Sequence, residues 1–182
     1  MTNNETICNK ILFSKEMIYE RVCELGRKIS EDYAGKDVVF VSILNGAFMF
    51  ASDLLKSVSI DCYIDFMQVS TYGNETKSSG TFVVKKDLSL DIQNKDVIIV
   101  EDILDTGYTL SNLTGYLAKY KPASVRIATF IDKPARRKIN ISADYVGFVL
   151  NEDYFIVGYG LDYAQKYRNL PYVGVLKEEL YS

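Results

Sequence analysis

The sequence predicts an α/β fold in which helices flank a mostly parallel central sheet. Short runs of β-branched and aromatic residues, apolar at nearly every position, are typical of strands buried on both faces of a sheet. Stretches with apolar residues at helical spacing alternate with these runs, as in βαβ units. No internal repeat or low-complexity stretch divides the chain of 182 residues, so we expect residues 1–182 to form one domain.

The same patterns give the individual elements in order. The first helix has Ser14 as its expected N-cap, and an Asn45-Gly46 turn separates the first strand from the second helix. Helices are expected over residues 15–30, 47–56 and 110–120, and strands over residues 38–44, 60–69, 81–84, 97–100, 125–131 and 145–150.

The composition excludes several kinds of chemistry. The chain has no histidine, which excludes Ser-His-Asp and Cys-His catalysis and every zinc site that needs imidazole. Acid–base steps would therefore fall to Asp, Glu, Lys, Tyr or Cys. A bound metal would be a hard cation held by oxygen atoms, with Mg²⁺ the best candidate.

Charge and hydropathy favour a cytoplasmic protein with small-molecule partners. The net charge of −3 gives no general attraction to nucleic acid or to an anionic membrane. No apolar stretch reaches the ~20 residues of a membrane span, and residues 1–15 lack a signal-peptide pattern. The three cysteines are widely spaced and match neither a disulfide framework nor a zinc site.

Two adjacent carboxylates follow the most clearly buried strand, which is expected over residues 97–100. Glu101 and Asp102 thus lie at the carboxyl end of a strand, where ligands bind in open α/β sheets. Because adjacent acids repel each other, a diol, a metal-bound ligand or a nearby cation should compensate them.

The residues after this diacid, Asp-Thr-Gly-Tyr-Thr at 105–109, open a helix. Free N–H groups and the positive end of the helix dipole make such a turn a phosphate site, to which the hydroxyls of Thr106 and Thr109 can add donors. The alternative is that Asp105 and Thr106 only cap the helix while the diacid is solvated. A Walker-type nucleotide site is excluded, because no G-x-x-x-x-G-K-[ST] pattern occurs.

The strand, the diacid, the Asp-Thr-Gly turn and the final threonine together resemble the signature with which type I phosphoribosyltransferases bind 5-phosphoribosyl diphosphate (PRPP). The resemblance implies the type I fold, with a small hood formed by terminal segments, about residues 150–182. It also implies that Glu101 and Asp102 bind the ribose hydroxyls. The 5′-phosphate would bind at Asp105, Thr106, Gly107, Tyr108 and Thr109.

Further segments resemble the hypoxanthine-guanine branch of that family. Residues 42–48 resemble its diphosphate loop, in which the Leu44–Asn45 peptide would be a non-proline cis bond; taken alone, they could be an Asn-Gly turn. Asn45 replaces a lysine that many relatives carry. The diphosphate would then bind at Leu44, Asn45, Gly46 and Arg168.

Residues 71–80 resemble the mobile catalytic loop of this branch, with Thr71 and Tyr72 as its matching dipeptide. The implied task of the loop is to exclude water from an activated ribosyl centre. By themselves, these polar residues could form any solvated loop.

Lys133 matches the lysine that donates to the 6-oxo group of the purine in this branch. A lysine offers only donors and so suits a carbonyl oxygen, at about 1.5–3 kcal/mol, or roughly 10- to 150-fold discrimination against adenine. Phe155 would stack on the purine, and main-chain groups of Ile156 would contact its edge. The alternatives are a solvated lysine and a core aromatic residue.

Residues 154–163 also resemble the second metal site of the family. Asp162 would help to hold Mg²⁺, with Glu101 and Asp102 as further candidate ligands. Arg136 and Arg137 could assist at the phosphate rim, but the sequence assigns them no definite role.

The activity that the resemblance implies is purine salvage. Purine N9 of hypoxanthine, or guanine, would displace diphosphate from C1′ of PRPP to give IMP or GMP. Asp105 would contact N7, as a general base or as a partner of the proton there. The family also suggests a homodimer or homotetramer.

Two other functions stay open at this point. One is a phosphoribosyltransferase that prefers xanthine, because the sequence does not settle the contacts at the purine 2-position. The other is a PRPP-sensing regulator that has lost catalysis, although no added nucleic-acid-binding module or basic face is visible in the sequence.

Overall fold

The computed structural model describes residues 7–72 and 81–181. In these residues, a six-stranded sheet has the strand order β4-β3-β2-β5-β6-β7 and a three-stranded sheet the order β1-β9-β8. The elements are β1 (Cys8–Phe13), α1 (Lys15–Asp32), β2 (Val38–Leu44), α2 (Phe48–Ser57), β3 (Cys62–Tyr72), β4 (Thr81–Lys86), β5 (Asp96–Leu104), α3 (Tyr108–Leu117), β6 (Ser124–Asp132), β7 (Tyr145–Val149), β8 (Ile156–Val157) and β9 (Val173–Leu176).

The larger sheet confirms the predicted α/β class. Its pairs β3–β2, β2–β5, β5–β6 and β6–β7 are parallel, and only β4 runs antiparallel, at the edge beside β3. Val38 and Phe40 of β2 share a core with α1 and α2, whereas Val39 and Val41 share a second core with α3. Because successive side chains of a strand point to opposite faces, helices cover both faces of this sheet.

The ends of several elements differ from the prediction. Ser14 caps α1 as predicted, its Oγ accepting from the amide of Met17 at 3.3 Å. However, β5 continues to Leu104, so the diacid lies inside the strand instead of after it. The reason is tertiary: β6 runs alongside to Asp132, and Leu104 pairs with it.

The polar stretch predicted as a loop over residues 71–80 begins in a strand. The backbones of Thr71 and Tyr72 pair with residues 82 and 81 of β4, so the two residues predicted to open the loop belong to β3. Residues 73–80, which carry the rest of that prediction, lie outside the described residues.

The smaller sheet joins the two ends of the described chain. In it, β9 pairs antiparallel with both β1 and β8. Its buried centre contains Val157, Leu170 and Leu176. The sequence pattern did not predict β1, β8 or β9, because each is short and β1 is largely exposed.

Within residues 7–72 and 81–181, no helix has the length and apolar character needed to cross a bilayer.

A buried carboxylate secures the connection from β4 to β5. Asp65 on β3 is only 5% exposed. It accepts hydrogen bonds from the amides of Phe66, Ser89 and Leu90 at 2.6–2.8 Å, and Lys86 lies 3.5 Å from its Oδ1. Burial acts to raise the pKa of Asp65, but these donors outweigh it and hold the pKa below its usual value.

Replacement of Asp65 by alanine should therefore destabilise the fold. Because three amides lose their acceptor, we expect the free energy of unfolding to fall by about 2–4 kcal/mol at pH 7. A carboxyl group whose pKa is lower in the folded than in the unfolded chain stabilises the fold at pH values above the unfolded pKa of about 4. This stabilisation is lost as the pH falls below that value. Urea unfolding should thus show a difference between wild type and Asp65→Ala that shrinks below pH ~4, with exposed Asp61→Ala as the control. A difference that does not change with pH would contradict this account.

Candidate active site

One polar cavity of about 400 Å³ lies at the carboxyl ends of β2 and β5. This is the edge of a parallel sheet where α/β proteins bind ligands, because the loops that follow adjacent strands diverge there. Its lining combines apolar strand residues with carboxylates, hydroxyls and one guanidinium: Ile43, Leu44, Gly46, Val69, Glu101, Asp102, Ile103, Leu104, Asp105, Thr106, Gly107, Thr109, Leu110, Asp162 and Arg168.

Gly46 is the point at which three segments of the site meet. A Cβ atom on Gly46 would lie 1.6 Å from Oδ2 of Asp102, and a Cβ atom on Gly160 would lie 2.1 Å from the carbonyl oxygen of Gly46. Neither position has room for a side chain. The loop after β2 therefore contacts both the diacid and the turn around Gly160. The Leu44–Asn45 peptide in this loop is cis, as the resemblance implied.

The diacid lies where its negative charge is disfavoured. Glu101 is 7% exposed, and burial, followed by the charge of Asp102, raises its pKa well above the usual value. Burial also raises the pKa of Asp102, while a hydrogen bond from Glu101, the amide of Ile103 and the charge of Arg168 act in the opposite direction. The alternative of a solvated diacid is wrong.

A glycine begins α3. Gly107 occupies the N-cap position with φ of 90°, a left-handed conformation that favours glycine, and it makes no side-chain cap hydrogen bond. Neither Asp105 nor Thr106 is the N-cap residue, so the capping alternative is wrong. The positive end of a helix is suited to bind an anion such as phosphate.

Arg137 stabilises this turn through hydrogen bonds to its backbone. Its Nε donates to the carbonyl oxygen of Asp105 at 2.9 Å and its Nη2 to that of Leu104 at 3.2 Å. The guanidinium also bonds to the carboxylate of Asp132 and to the carbonyl oxygen of Ile141. Since its donors are occupied by the protein, Arg137 supports the loop and does not lie free at its rim.

Backbone contacts reinforce the same support. The amides of Lys138 and Ile139 both donate to the carbonyl oxygen of Thr106, at 2.9 and 3.1 Å. A Cβ atom on Gly107 would lie 2.7 Å from Cγ2 of Ile141. The segment after β6 thus fixes the Asp-Thr-Gly turn at close range.

Asp162 and Arg168 form an ion pair on the opposite side of the cavity. Nη2 of Arg168 lies 2.8 Å from Oδ1 of Asp162, and its Nη1 donates to the carbonyl oxygen of Gly160 at 2.7 Å. The other carboxylate oxygen of Asp162 accepts from the amide of Gln165 at 2.8 Å. Both predicted residues therefore line the site, and neither is an isolated surface charge.

Lys133 lies beside this cavity and is buried. Its side chain is 6% exposed, and Nζ is 2.9 Å from Oδ1 of Asp153 and 3.1 Å from the carbonyl oxygen of Tyr154. The alternative of a solvated lysine is wrong. Asp153, which the sequence analysis did not single out, gave no signal because it is one exposed acid among several.

Phe155 is 40% exposed and belongs to an aromatic cluster. It stacks on Tyr181 at 4.9 Å between ring centroids and meets Tyr163 edge-on at 5.6 Å. The next residue, Ile156, is buried in β8. A half-exposed aromatic ring supported by two tyrosines is suited to stack on a planar ligand.

The structure brings most predicted site residues together, but not all of them. The predicted residues in the cavity lining are Leu44, Gly46, Glu101, Asp102, Asp105, Thr106, Gly107, Thr109, Asp162 and Arg168. The predicted residues outside this lining are Asn45, Tyr108, Lys133, Phe155 and Ile156. Thr71 and Tyr72 are described only in their backbone.

The oxygen donors of the cavity fit a magnesium ion that is held partly by a ligand. In the described part of the chain, no group of three or more His, Cys, Asp or Glu side chains forms a complete cation site. Magnesium usually binds through one or two carboxylates together with waters and substrate phosphates. Glu101, Asp102 and Asp162 supply carboxylates of that kind at the same cavity.

Comparisons with known proteins agree with this geometry. Residues 10–164 match the model of the phosphoribosyl transferase domain. A hypoxanthine-guanine phosphoribosyltransferase from Streptococcus thermophilus is 51% identical, over 95% of this chain and 96% of its own length. A crystal structure of a hypoxanthine phosphoribosyltransferase from Staphylococcus aureus is 48% identical, with a TM-score of 0.96 over 100% of this chain and 98% of that one.

A second group of relatives is much longer. Bifunctional proteins named TilS/HprT, including one from Listeria monocytogenes, are 48% identical over 98% of this chain, which spans only 28% of their length.

The buried diacid should lower the stability of the free protein. A raised folded-state pKa means that the folded chain holds a proton that the unfolded chain releases above pH ~4, so stability falls as the pH rises from there. Glu101→Gln imitates the protonated carboxyl. We expect it to raise the free energy of unfolding by about 0.5–2 kcal/mol at pH 8, and by little at pH 4.

Urea unfolding at both pH values measures this effect, and the exposed Glu20→Gln change serves as its control. A variant less stable than wild type at pH 8 would show that the carboxylate of Glu101 stabilises the fold.

Proposed function

The chain belongs to the phosphoribosyl transferase domain family, and on that premise we propose that it transfers the 5-phosphoribosyl group of PRPP to N9 of hypoxanthine. The products are IMP and diphosphate, and guanine is a second substrate that gives GMP. The role is purine salvage. The observation that carries the proposal is the meeting, at one cavity, of the Glu101–Asp102 pair and the start of α3 at Gly107.

In this proposal, PRPP spans the cavity from its phosphate to its diphosphate. The amides and hydroxyls of residues 105–109 bind the 5′-phosphate, with Tyr108 and Thr109 at the helix start. Glu101 and Asp102 bind the ribose hydroxyls, which position C1′ and give a negative field near the cation that develops there. Support comes from Gly107 at the start of α3 and from the close approach of Asp102 to Gly46.

The diphosphate binds on the other side of the ribose. Main-chain groups of Leu44, Asn45 and Gly46 and the guanidinium of Arg168 contact it, since a planar fork suits phosphate oxygens. Arg168 already faces the cavity, where it is paired with Asp162. Asp162, with Glu101 and Asp102 as further carboxylates, would hold Mg²⁺, which would supply positive charge to the departing diphosphate.

The purine binds beside C1′, over the aromatic cluster. Phe155 stacks on the ring, main-chain groups of Ile156 contact its edge, and Lys133 donates to the 6-oxygen. Asp105 faces N7, either as the general base or as the partner of the proton there. Support comes from the position of Asp105 in the cavity lining, where Oδ1 lies 2.8 Å from Nε of Arg136. A carboxylate has several acceptor sites, so this ion pair leaves others for a ligand.

Other features complete the proposal. We take residues 1–182 as one phosphoribosyltransferase domain, in which residues 71–80 form a mobile loop that excludes water and residues 150–182 form the base-binding hood. The protein is cytoplasmic and forms a homodimer or homotetramer. Support for assembly comes from exposed apolar side chains on α1 and α2, namely Met17, Tyr19 and Phe48, at 45%, 70% and 43% exposure. Tyr19 also lines a cavity between these two helices.

The direct test is nucleotide synthesis from PRPP and Mg²⁺ with hypoxanthine, guanine, xanthine or adenine, each product being quantified by mass. We expect nucleotide from hypoxanthine and guanine, at least about tenfold less from adenine, and none after chelation of the metal. Product mainly from xanthine would assign the xanthine-preferring enzyme. A folded protein that binds PRPP but makes no nucleotide would instead be the regulator.

Asp105→Asn separates binding from chemistry. The amide keeps the shape of the side chain but cannot take a proton or carry charge at N7, so kcat should fall by about 100-fold or more. The Kd for PRPP, measured by calorimetry, should change little. Unchanged turnover would remove Asp105 from the mechanism, whereas a lost affinity for PRPP would make it a phosphate-binding residue only.

A further inference from the structure

Four charged side chains of alternating sign form a series of ion pairs beside the proposed purine position. Nε of Arg136 lies 2.8 Å from Oδ1 of Asp105, and its Nη1 lies 2.8 Å from Oδ1 of Asp153. The same oxygen of Asp153 accepts from Nζ of Lys133 at 2.9 Å. Arg136 and Asp153 therefore connect the two charged residues that the proposed function assigns to the base.

The local backbone explains why both cations reach Asp153. Residues Pro134–Arg136 form a 3₁₀ turn that follows Lys133, and the amide of Arg136 donates to the carbonyl oxygen of Lys133 at 3.1 Å. In a 3₁₀ helix, side chains three residues apart lie on the same side. Lys133 and Arg136 thus face the same neighbour, although they are not adjacent in sequence.

The buried ammonium depends on this neighbour. Because the side chain of Lys133 is 6% exposed, its charge needs protein partners in place of water. The carbonyl oxygen of Tyr154 is one, and the carboxylate of Asp153 is the charged one. Both Arg136 and Lys133 lower the pKa of Asp153, Arg136 first, so this carboxyl group is ionised near neutral pH.

The two end residues of this charged series, Asp105 and Lys133, match one edge of a 6-oxopurine. On this edge, N7 and the 6-oxygen are neighbours: the oxygen needs a donor, and a proton at N7 needs an acceptor. Asp105 offers a carboxylate at the cavity, and Lys133 offers an ammonium. Nε of Arg136 lies 2.8 Å from Oδ1 of this carboxylate, which has further acceptor sites for a ligand.

We infer, on the basis of the proposed function, that Asp153 and Arg136 are positioning residues that hold Lys133 and Asp105 along this edge and thereby set the preference for a 6-oxo over a 6-amino base. Asp153 acts through Lys133 on the 6-position. Arg136 acts through Asp105 on N7. Neither residue lines the cavity in which PRPP is proposed to bind, so we expect their effects mainly on the base.

The test compares Asp153→Asn with the matched neighbour Glu152→Gln, which removes the same charge from an exposed side chain. The readouts are KM for hypoxanthine, KM for PRPP and the Ki of adenine as a competing base. For Asp153→Asn, we expect the ratio of the adenine Ki to the hypoxanthine KM to fall roughly tenfold, while KM for PRPP stays within about twofold. Asp153→Glu should restore most of this ratio, and Glu152→Gln should leave all three constants unchanged.

A second variant tests whether Asp153 acts through Lys133. In a Lys133→Gln background, Asp153→Asn should have no further effect on KM for hypoxanthine, because the group that it positions is gone. Equal, additive effects in both backgrounds would overturn the inference, as would equal losses of affinity for PRPP and for the base. A wild-type protein that makes no nucleotide would contradict the proposed function itself, independently of these ratios.

Discussion

The burial of two adjacent carboxyl groups in the last part of β5 is the constraint on which the rest of the site depends. Ionising both of two such groups is costly away from water, and the pKa of Glu101 is accordingly raised well above its usual value. Asp102 occupies the space in which a side chain at Gly46 would lie, and the carbonyl group of Gly46 excludes a side chain at Gly160. The carboxylate of Asp102 thus requires a glycine at position 46, and the backbone at Gly46 in turn requires one at position 160.

This constraint also orders the segments that surround the cavity. The loop after β2 must pass against Asp102 without a side chain, and the turn at Gly160 must pass against that loop. Arg168 bonds to the carbonyl oxygen of Gly160, and its charge partly opposes the rise in the pKa of Asp102 that burial causes. A carboxyl pair that is costly to the free fold therefore brings together the three segments that the proposed reaction needs, a common compromise between stability and activity.

The sequence predicted those parts of the fold and site that depend on local pattern. Residues 38–44 are apolar at nearly every position because the strand is buried on both faces, and the observed β2 has the same bounds. The Asp-Thr-Gly turn was visible because glycine and acids interrupt an apolar pattern. The end of β5 could not be predicted, because its last residues are polar and lack the strand pattern. Only the pairing with β6 extends this strand to Leu104.

The missed features depend on partners that are distant in sequence. In β1, Lys10 and Ile11 pair with Val175 and Gly174, and no local pattern in a short exposed segment shows such a partner. In the sequence, Arg137 is one of several basic residues, and only the fold shows that it donates to the carbonyl oxygens of residues 104 and 105. Asp153 likewise looks like a surface acid in the sequence. Only the fold shows that Lys133 and Arg136 both bond to it.

These supports differ in kind between the two sides of the proposed substrate site. The Asp-Thr-Gly turn is fixed mainly through its backbone carbonyl groups, which accept hydrogen bonds from Arg137, Lys138 and Ile139 of one adjacent segment. Lys133 is fixed by a side chain and a carbonyl group at residues 153 and 154, in the segment that leads into β8 of the smaller sheet. Because β8 pairs with β9, the position of the lysine depends on the sheet that both terminal segments build. The residues proposed to bind phosphate are thus held within the parallel sheet, whereas the proposed selection of the base depends on how the smaller sheet packs beside it.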